Sequence, residues 1–187
     1  MSLVVLGQRE GPVGVVEVLA RTPEGTAACG AAVGRLLRPG DVVLLGGELG
    51  AGKTTFTQGL ARALGVEGAV TSPTFVLVHS YPTKAGWDLV HADVWRLQQL
   101  QEVIDLAIPE LIEQGAAAVI EWGEKAAPAL PSDCLHVAIG YDEEAPGAEL
   151  PGPAGAEGVR RLELKATGPG WEGRLGELAR HLAGGQP

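Results

Sequence analysis

The sequence predicts an α/β fold, a sandwich whose central strands are parallel and whose outer strands are antiparallel additions. Three observations carry that expectation. Short continuous apolar runs at 41–46 (DVVLLG) and 116–122 (AAAVIEW) have turn residues beside them, the pattern of strands buried on both faces of a parallel sheet. Stretches of helical spacing alternate with such runs along the chain. Two more strand-like runs, 74–81 and 87–94, flank a connection short enough to make them antiparallel neighbours.

Taken in order, residues 13–20 (VGVVEVLA) are β-branched and apolar and read as a strand. Thr22 and Pro23 then supply an N-cap and a proline at the first helical position, opening a helix to about Leu37 that Pro39 and Gly40 end. The strand at 41–46 leads directly into a glycine loop. From Lys53 to Leu64 the residues Phe56, Leu60, Ala61, Ala63 and Leu64 recur near helical spacing, and Gly65 stands where a C-cap belongs. The hairpin 74–94 follows, then a helix over 96–106 and a second one restarted by Pro109 and stopped by Gly115. The strand at 116–122 ends in a carboxylate. Residues 135–141 and 159–166 alternate as late strands, and the Pro/Gly/Glu-rich stretch 142–158 between them reads as a flexible loop. A last helix spans 171–182 and the tail 184–187 frays.

A length of 187 residues predicts a single domain spanning 1–187. Net charge is −9 and the pI is near 4.9, which argues against a broad basic face for wrapping nucleic acid and leaves only local basic pockets open. Cys29 and Cys134 form no C-x-x-C pattern, so neither a zinc site nor a redox pair is indicated, and free thiols suit a reducing cytosol. No apolar run approaches the roughly 18 residues of a membrane span, and the N-terminus has no basic leader. A cytoplasmic protein without membrane contact is expected.

Gly47, Glu48, Leu49, Gly50, Ala51, Gly52, Lys53 and Thr54 satisfy G-x-x-x-x-G-K-[ST] between a strand and a helix. In that context backbone N–H groups and a helix N-terminus converge on anionic oxygens, and the fold becomes a P-loop NTPase-type three-layer sandwich. The glycines allow positive φ and close backbone approach. Lys53 is a point charge for β- and γ-phosphates, Thr54 offers a hydroxyl to Mg²⁺, and Thr55 reaches the α-phosphate side. The competing reading is a glycine-rich turn capped by a surface lysine. Guanine readers carry N-K-x-D and D-x-x-G; this chain has no asparagine and no D-x-x-G, so elimination favours ATP.

A nucleotide loop needs carboxylates opposite it. Glu121 closes an apolar strand, where an acid reaches the ligand crevice at the carboxyl edge of a parallel sheet. A solvated strand end is its alternative. Asp93 lies near the end of 89–94 with His91 two residues earlier on the same face; an N-cap for the next helix is its alternative, and an ordinary half-buried histidine is that of His91. Lys53, Asp93 and Glu121 are the candidate catalytic residues.

Together the motifs at Gly47 to Thr55 (GELGAGKTT), at Ser72, Pro73, Thr74 and Phe75 (SPTF), at His91-x-Asp93-x-x-Arg96 and at Ile120, Glu121 and Trp122 (IEW) resemble the TsaE (YjeE) P-loop ATPases of bacterial tRNA threonylcarbamoyladenosine biosynthesis. The resemblance covers roughly residues 15–140. It implies an ATPase acting with the TsaB and TsaD proteins, with tRNA met only through those partners. It makes Thr54 and Glu121 the Mg²⁺ ligands, Asp93 the acid of the His-x-Asp motif, and places Thr74 in a switch-like segment. Trp122 is then near the nucleotide or a core residue. Trp95 departs from the family's usual tyrosine. The adenine contacts fall near residues 22–26 and near Arg160 and Arg161. A small-molecule kinase and a nucleotide-dependent scaffold with little hydrolysis stand as alternatives. A kinase needs several lid arginines, and only Arg96 is suitably placed.

Overall fold

In the computed structural model, which describes residues 3–9, 14–73, 77–142 and 158–184, the chain runs β1 (Leu3–Arg9), β2 (Val15–Ala20), α1 (Pro23–Gly34), β3 (Val42–Gly46), α2 (Lys53–Ala63), β4 (Val78–Pro82) and β5 (Asp88–Asp93). It continues through α3 (Leu100–Ile104), α4 (Ile108–Glu113), β6 (Ala117–Glu121), two 3₁₀ turns (Gly123–Lys125 and Ala127–Ala129), β7 (Cys134–Tyr141), β8 (Arg160–Thr167) and α5 (Pro169–Ala183). The strands form one sheet in the order β1-β2-β8-β7-β3-β6-β5-β4. Pairings β7–β3, β3–β6 and β6–β5 are parallel, while β4 on one flank and β8, β2 and β1 on the other are antiparallel. This is the expected parallel centre with antiparallel additions.

Strand alternation divides the core between two faces. Val43 and Leu45 point to the side covered by α1, α2 and α5, where Phe56, Leu60, Trp171 and Leu178 are fully buried. Val42 and Leu44 point to the other side, against Val103 of α3 and Ile108 and Ile112 of α4. Every residue of β3 and β6 is buried, which is why both read as unbroken apolar runs. The register sets Leu45 beside Glu121 and Asp93 beside Glu121, so the acids of two neighbouring strands finish at the same edge as the loop after β3.

Local chemistry fixes the helix ends. The Thr22 hydroxyl accepts from the Gly25 amide at 3.3 Å, with Pro23 opening α1 as expected. Helix α1 ends at Gly34 rather than near Leu37, because the amides of Leu36 and Leu37 turn back on the Val33 and Gly34 carbonyls. At α5 the Asp133 carboxylate accepts from the Gly170 and Trp171 amides.

Two further differences from the sequence reading stand out. The helix expected over 96–106 is reduced to α3, since Lys125 Nζ donates to the carbonyls of Trp95 and Leu97, and Glu102 Oε2 takes the amides of Gln98 and Gln99. Groups that would have served a longer helix are already committed. Strand β1 was not expected at all. It pairs antiparallel with β2, with a register shift between Val5 and Gly7. Thr74 and Phe75, most of the 142–158 stretch and the last three residues of the tail lie outside the described residues. Among those described, no helix is long and apolar enough to cross a membrane.

Candidate nucleotide site

The loop between β3 and α2 has the backbone of an anion cradle. Gly47 sits at φ +127° and Gly52 at φ +113°, in the region that disfavours side chains, and a Cβ on Gly47 would collide with the Ile139 backbone. Gly52 is the N-cap of α2 and no side chain caps that helix. Its first amides therefore face outward without an intrahelical acceptor, at the positive end of the helix dipole.

Lys53 is 5% exposed, and its ammonium donates to the Gly47 carbonyl at 2.8 Å and the Glu48 carbonyl at 2.9 Å. It also lies 3.9 Å from the ring centre of Trp122. Burial pushes Lys53 below the ordinary lysine range, and the Glu121, Asp93 and Glu124 carboxylates pull the other way. A surface lysine capping a turn, the competing reading, is incompatible with this burial.

Glu121 is 3% exposed, so it is no solvated strand end. Its Oε1 accepts from the Thr54 hydroxyl at 2.8 Å and lies 3.0 Å from His91 Nε2. His91 is fully buried and its Nδ1 has no partner among the described residues. An unpartnered acceptor is cheaper to bury than an unpartnered N–H, so the proton belongs on Nε2, donated to Glu121. Asp93 Oδ2 accepts from the Ser72 hydroxyl at 3.1 Å and Oδ1 from the Trp95 amide at 2.9 Å. That second bond is a local turn, but no helix starts at Arg96 for Asp93 to cap.

These groups line a cavity of about 430 Å³. Gly50, Gly52, Lys53, Thr54 and Thr55 form one wall; Ser72, Asp93, Arg96 and Glu121 face them, with Trp95 and Trp122 at the side. Trp95 stacks on Trp122 with ring centres 4.2 Å apart. Gly47 and Glu48 contribute the carbonyls that hold Lys53, Ala51 is buried, and Leu49 stands 80% exposed at the loop tip. From the other flank Arg160 Nε donates to the Ala51 carbonyl at 3.3 Å and the Tyr141 hydroxyl to the Gly50 carbonyl at 3.3 Å.

The donor set suits Mg²⁺. That ion takes hard oxygens, dehydrates reluctantly and needs only one or two protein side chains beside waters and phosphates. Thr54 and Glu121 supply such oxygens, already hydrogen-bonded to each other, and no thiol lines the cavity. Among the described residues no cluster of three or more His, Cys, Asp or Glu groups offers an all-protein metal cage.

Of the residues expected from sequence, the structure brings Lys53, Thr54, Thr55, Asp93 and Glu121 around one cavity. Sequence reasoning missed the Lys53–Trp122 contact, the brace from Tyr141 and the bond from Arg160 to the loop backbone. Trp122 and Arg160 were singled out only through the family resemblance, and the bonds from Tyr141 and Arg160 span about 90 or more residues.

Comparisons with known proteins converge on one family. A family model described as "Threonylcarbamoyl adenosine biosynthesis protein TsaE" matches residues 20–148. The chain is 41% identical over 121 residues to the tRNA threonylcarbamoyladenosine biosynthesis protein TsaE of Treponema pallidum, covering 65% of this chain and 88% of that protein. It is 42% identical over 144 residues to the TsaE of Streptomyces coelicolor, covering 76% and 90%. A crystal structure of YdiB from Bacillus subtilis superposes with a TM-score of 0.69 at 29% identity, covering 92% of this chain and 99% of that one.

Proposed function

The chain belongs to the TsaE family, and from that premise we propose that it is a Mg²⁺-dependent ATP-binding and ATP-hydrolysing protein of tRNA threonylcarbamoyladenosine biosynthesis, acting with TsaB and TsaD. One observation carries the catalytic part. An uncapped helix start and a buried lysine face two buried carboxylates across a single cavity.

In this reading the amides from Gly47 to Thr55 cradle the triphosphate, and Lys53 sets its charge against the β- and γ-phosphates. Thr54 and Glu121 would hold Mg²⁺, which when bound supplies positive charge against the phosphate oxygens. His91 keeps Glu121 oriented. Asp93, fixed by Ser72 and the Trp95 amide, orients the attacking water and accepts its proton. The water oxygen then bonds to the γ-phosphorus as the bridging bond to the β-phosphate breaks. Arg96 is the one arginine lining the cavity among the described residues, which counts against a metabolite kinase with its set of screening cations. The net charge of −9 fits a protein that meets tRNA only through partners.

The test is reconstitution. Modified tRNA is assayed over repeated turnovers with TsaB and TsaD, with and without this protein and its Lys53→Ala variant. Sustained product only with the wild-type protein and ATP is expected. Full multi-turnover product in its absence would contradict the proposal.

A further inference from the structure

Strand β7 outruns its neighbour. Its register with β3 ends at Ala138 opposite Gly46, and the strand continues to Tyr141 alongside the loop that follows β3. There the Ile139 backbone abuts Gly47, and two residues on the Tyr141 hydroxyl donates to the Gly50 carbonyl at 3.3 Å. Arg160, the register partner of Tyr141 on β8, is only 7% exposed. Its guanidinium carbon lies 4.3 Å from the centre of the Tyr141 ring, its Nη1 donates to the Gly158 carbonyl at 2.6 Å and its Nε to the Ala51 carbonyl at 3.3 Å. The proposed hydrolysis uses neither side chain.

The two carbonyls held in this way belong to neighbouring peptide units, and in a trans peptide the C=O and N–H point opposite ways. In the first unit Tyr141 holds the Gly50 carbonyl, while the Ala51 amide donates back to the Glu48 carbonyl at 3.1 Å, the same oxygen that takes Lys53 Nζ at 2.9 Å. In the second, Arg160 holds the Ala51 carbonyl, which turns the Gly52 amide away from β8 and toward the phosphate cavity that Gly52 lines. Gly50 at φ +79° and Gly52 at φ +113° flank these units, and glycine lets a peptide rotate at little cost, so the loop's own backbone does not fix their direction.

We propose that Arg160 and Tyr141 are positioning residues of the phosphate loop: Arg160 aims the Gly52 amide at an anionic oxygen, and Tyr141 fixes the turn whose Glu48 carbonyl holds Lys53. The proposal rests on the nucleotide reading of this cavity and adds to it that the antiparallel flank of the sheet sets the loop in its anion-binding shape before a phosphate arrives, which lowers the ordering cost of binding. A guanidinium that instead met the nucleobase would matter to ATP and not to a bare phosphate chain.

Calorimetry measures the affinity of the full chain for ATP and for inorganic tripolyphosphate, each with Mg²⁺, and amide NMR follows Gly52 in protein to which neither is added. Arg160→Met should lose roughly tenfold or more in affinity for both probes alike, the size of one hydrogen bond from a charged donor. Its Gly52 resonance should move while those of β1 and α5 stay. Tyr141→Phe, which keeps the ring beside Arg160 and loses only the hydroxyl, should weaken both probes roughly threefold to tenfold without lowering Tm. Glu163→Gln, on the exposed face of β8, should bind as the wild type does. Unchanged affinity in either variant removes that residue from the role; unchanged affinity in both overturns the proposal and leaves the nucleotide reading standing. A Gly52 resonance that stays put in Arg160→Met overturns the aiming of that amide. Loss toward ATP with tripolyphosphate unaffected assigns Arg160 to the base or ribose and overturns the proposal, as does a wild-type chain that takes ATP but not tripolyphosphate. A wild-type chain that binds neither probe overturns the nucleotide reading and the positioning role with it. Should Arg160→Met not fold, Tyr141→Phe decides.

Discussion

Substituting Gly59 by alanine should destabilise the protein although alanine is the better helix former. In α2 an added Cβ would lie 2.6 Å from the carbonyl carbon of Ala27 and 2.8 Å from its Cα, both backbone atoms of α1. Carbon atoms in contact sit about 3.5–4.0 Å apart, so the helices must separate by roughly 1 Å. Helix propensity contributes about 1 kcal/mol in favour of the substitution, and overpacking against an immovable backbone costs about 1–3 kcal/mol or more. The Gly30 backbone meets Phe56 in the same way, so the separation opens a second contact. With backbone atoms as the obstacle the cost falls at the upper end of that range, and the net loss of about 2 kcal/mol lowers Tm by roughly 4–8 °C for a chain of this size. Gly173 and Gly176 on α5 have nothing within 4 Å of an added Cβ, and both are exposed. The same substitution there should raise stability by a few tenths to about 1 kcal/mol. Thermal melts and urea titrations of the three variants give the comparison. A Gly59→Ala protein as stable as the wild type would refute the backbone-to-backbone contact that sets the distance between α1 and α2.

Further outcomes follow from particular contacts. Arg174→Ala should cost about 3 kcal/mol in urea unfolding, because it leaves the Asp41 carboxylate, whose side chain is only 12% exposed, with the Arg38 amide but no cation, and also vacates a bond to the Leu36 carbonyl. Lys53→Ala should remove most ATP binding, whereas Glu121→Ala should spare binding more than turnover; equal loss of binding in both would overturn that division of roles. Burial pushes the Cys29 thiol up to about 12 from its ordinary 9.0 and raises Cys134 as well, so an aromatic disulfide reagent at pH 8 should titrate neither thiol until the protein unfolds. The neutral thiol is the form buried, and the unfolded chain releases its proton first. The Cys29 contribution to stability is therefore full below 9.0 and is lost as pH climbs toward 12, a slope that Cys29→Ala should remove from urea midpoints above pH 9.

What the sequence revealed was local in kind. Gly47 to Thr55 is contiguous, and its spacing alone encodes a turn, a cation and a hydroxyl at a helix start. Strands β3 and β6 are buried on both faces, so their apolar runs, and the acid ending one of them, stood out. Pairings made at a distance left no such mark. His91 reaches Glu121 across the β5–β6 register, Ser72 reaches Asp93 through 21 residues, and Arg160 reaches Ala51 through 109. The helix expected from residue 96 failed for a tertiary reason, since Lys125 comes from beyond β6 to take the Trp95 and Leu97 carbonyls. Strand β1 is only partly buried and interrupted by Gly7, so its seven residues lack the alternation that marks a half-buried strand.

The most direct test is a crystal structure of the protein with Mg²⁺ and a non-hydrolysable ATP analogue. It should find phosphate oxygens on the backbone amides of the loop after β3, Lys53 within ion-pair reach of the terminal phosphates, and the metal held by Thr54 and Glu121. A triphosphate bound away from that loop, or a loop pulled straight with Lys53 in solvent, would contradict the account.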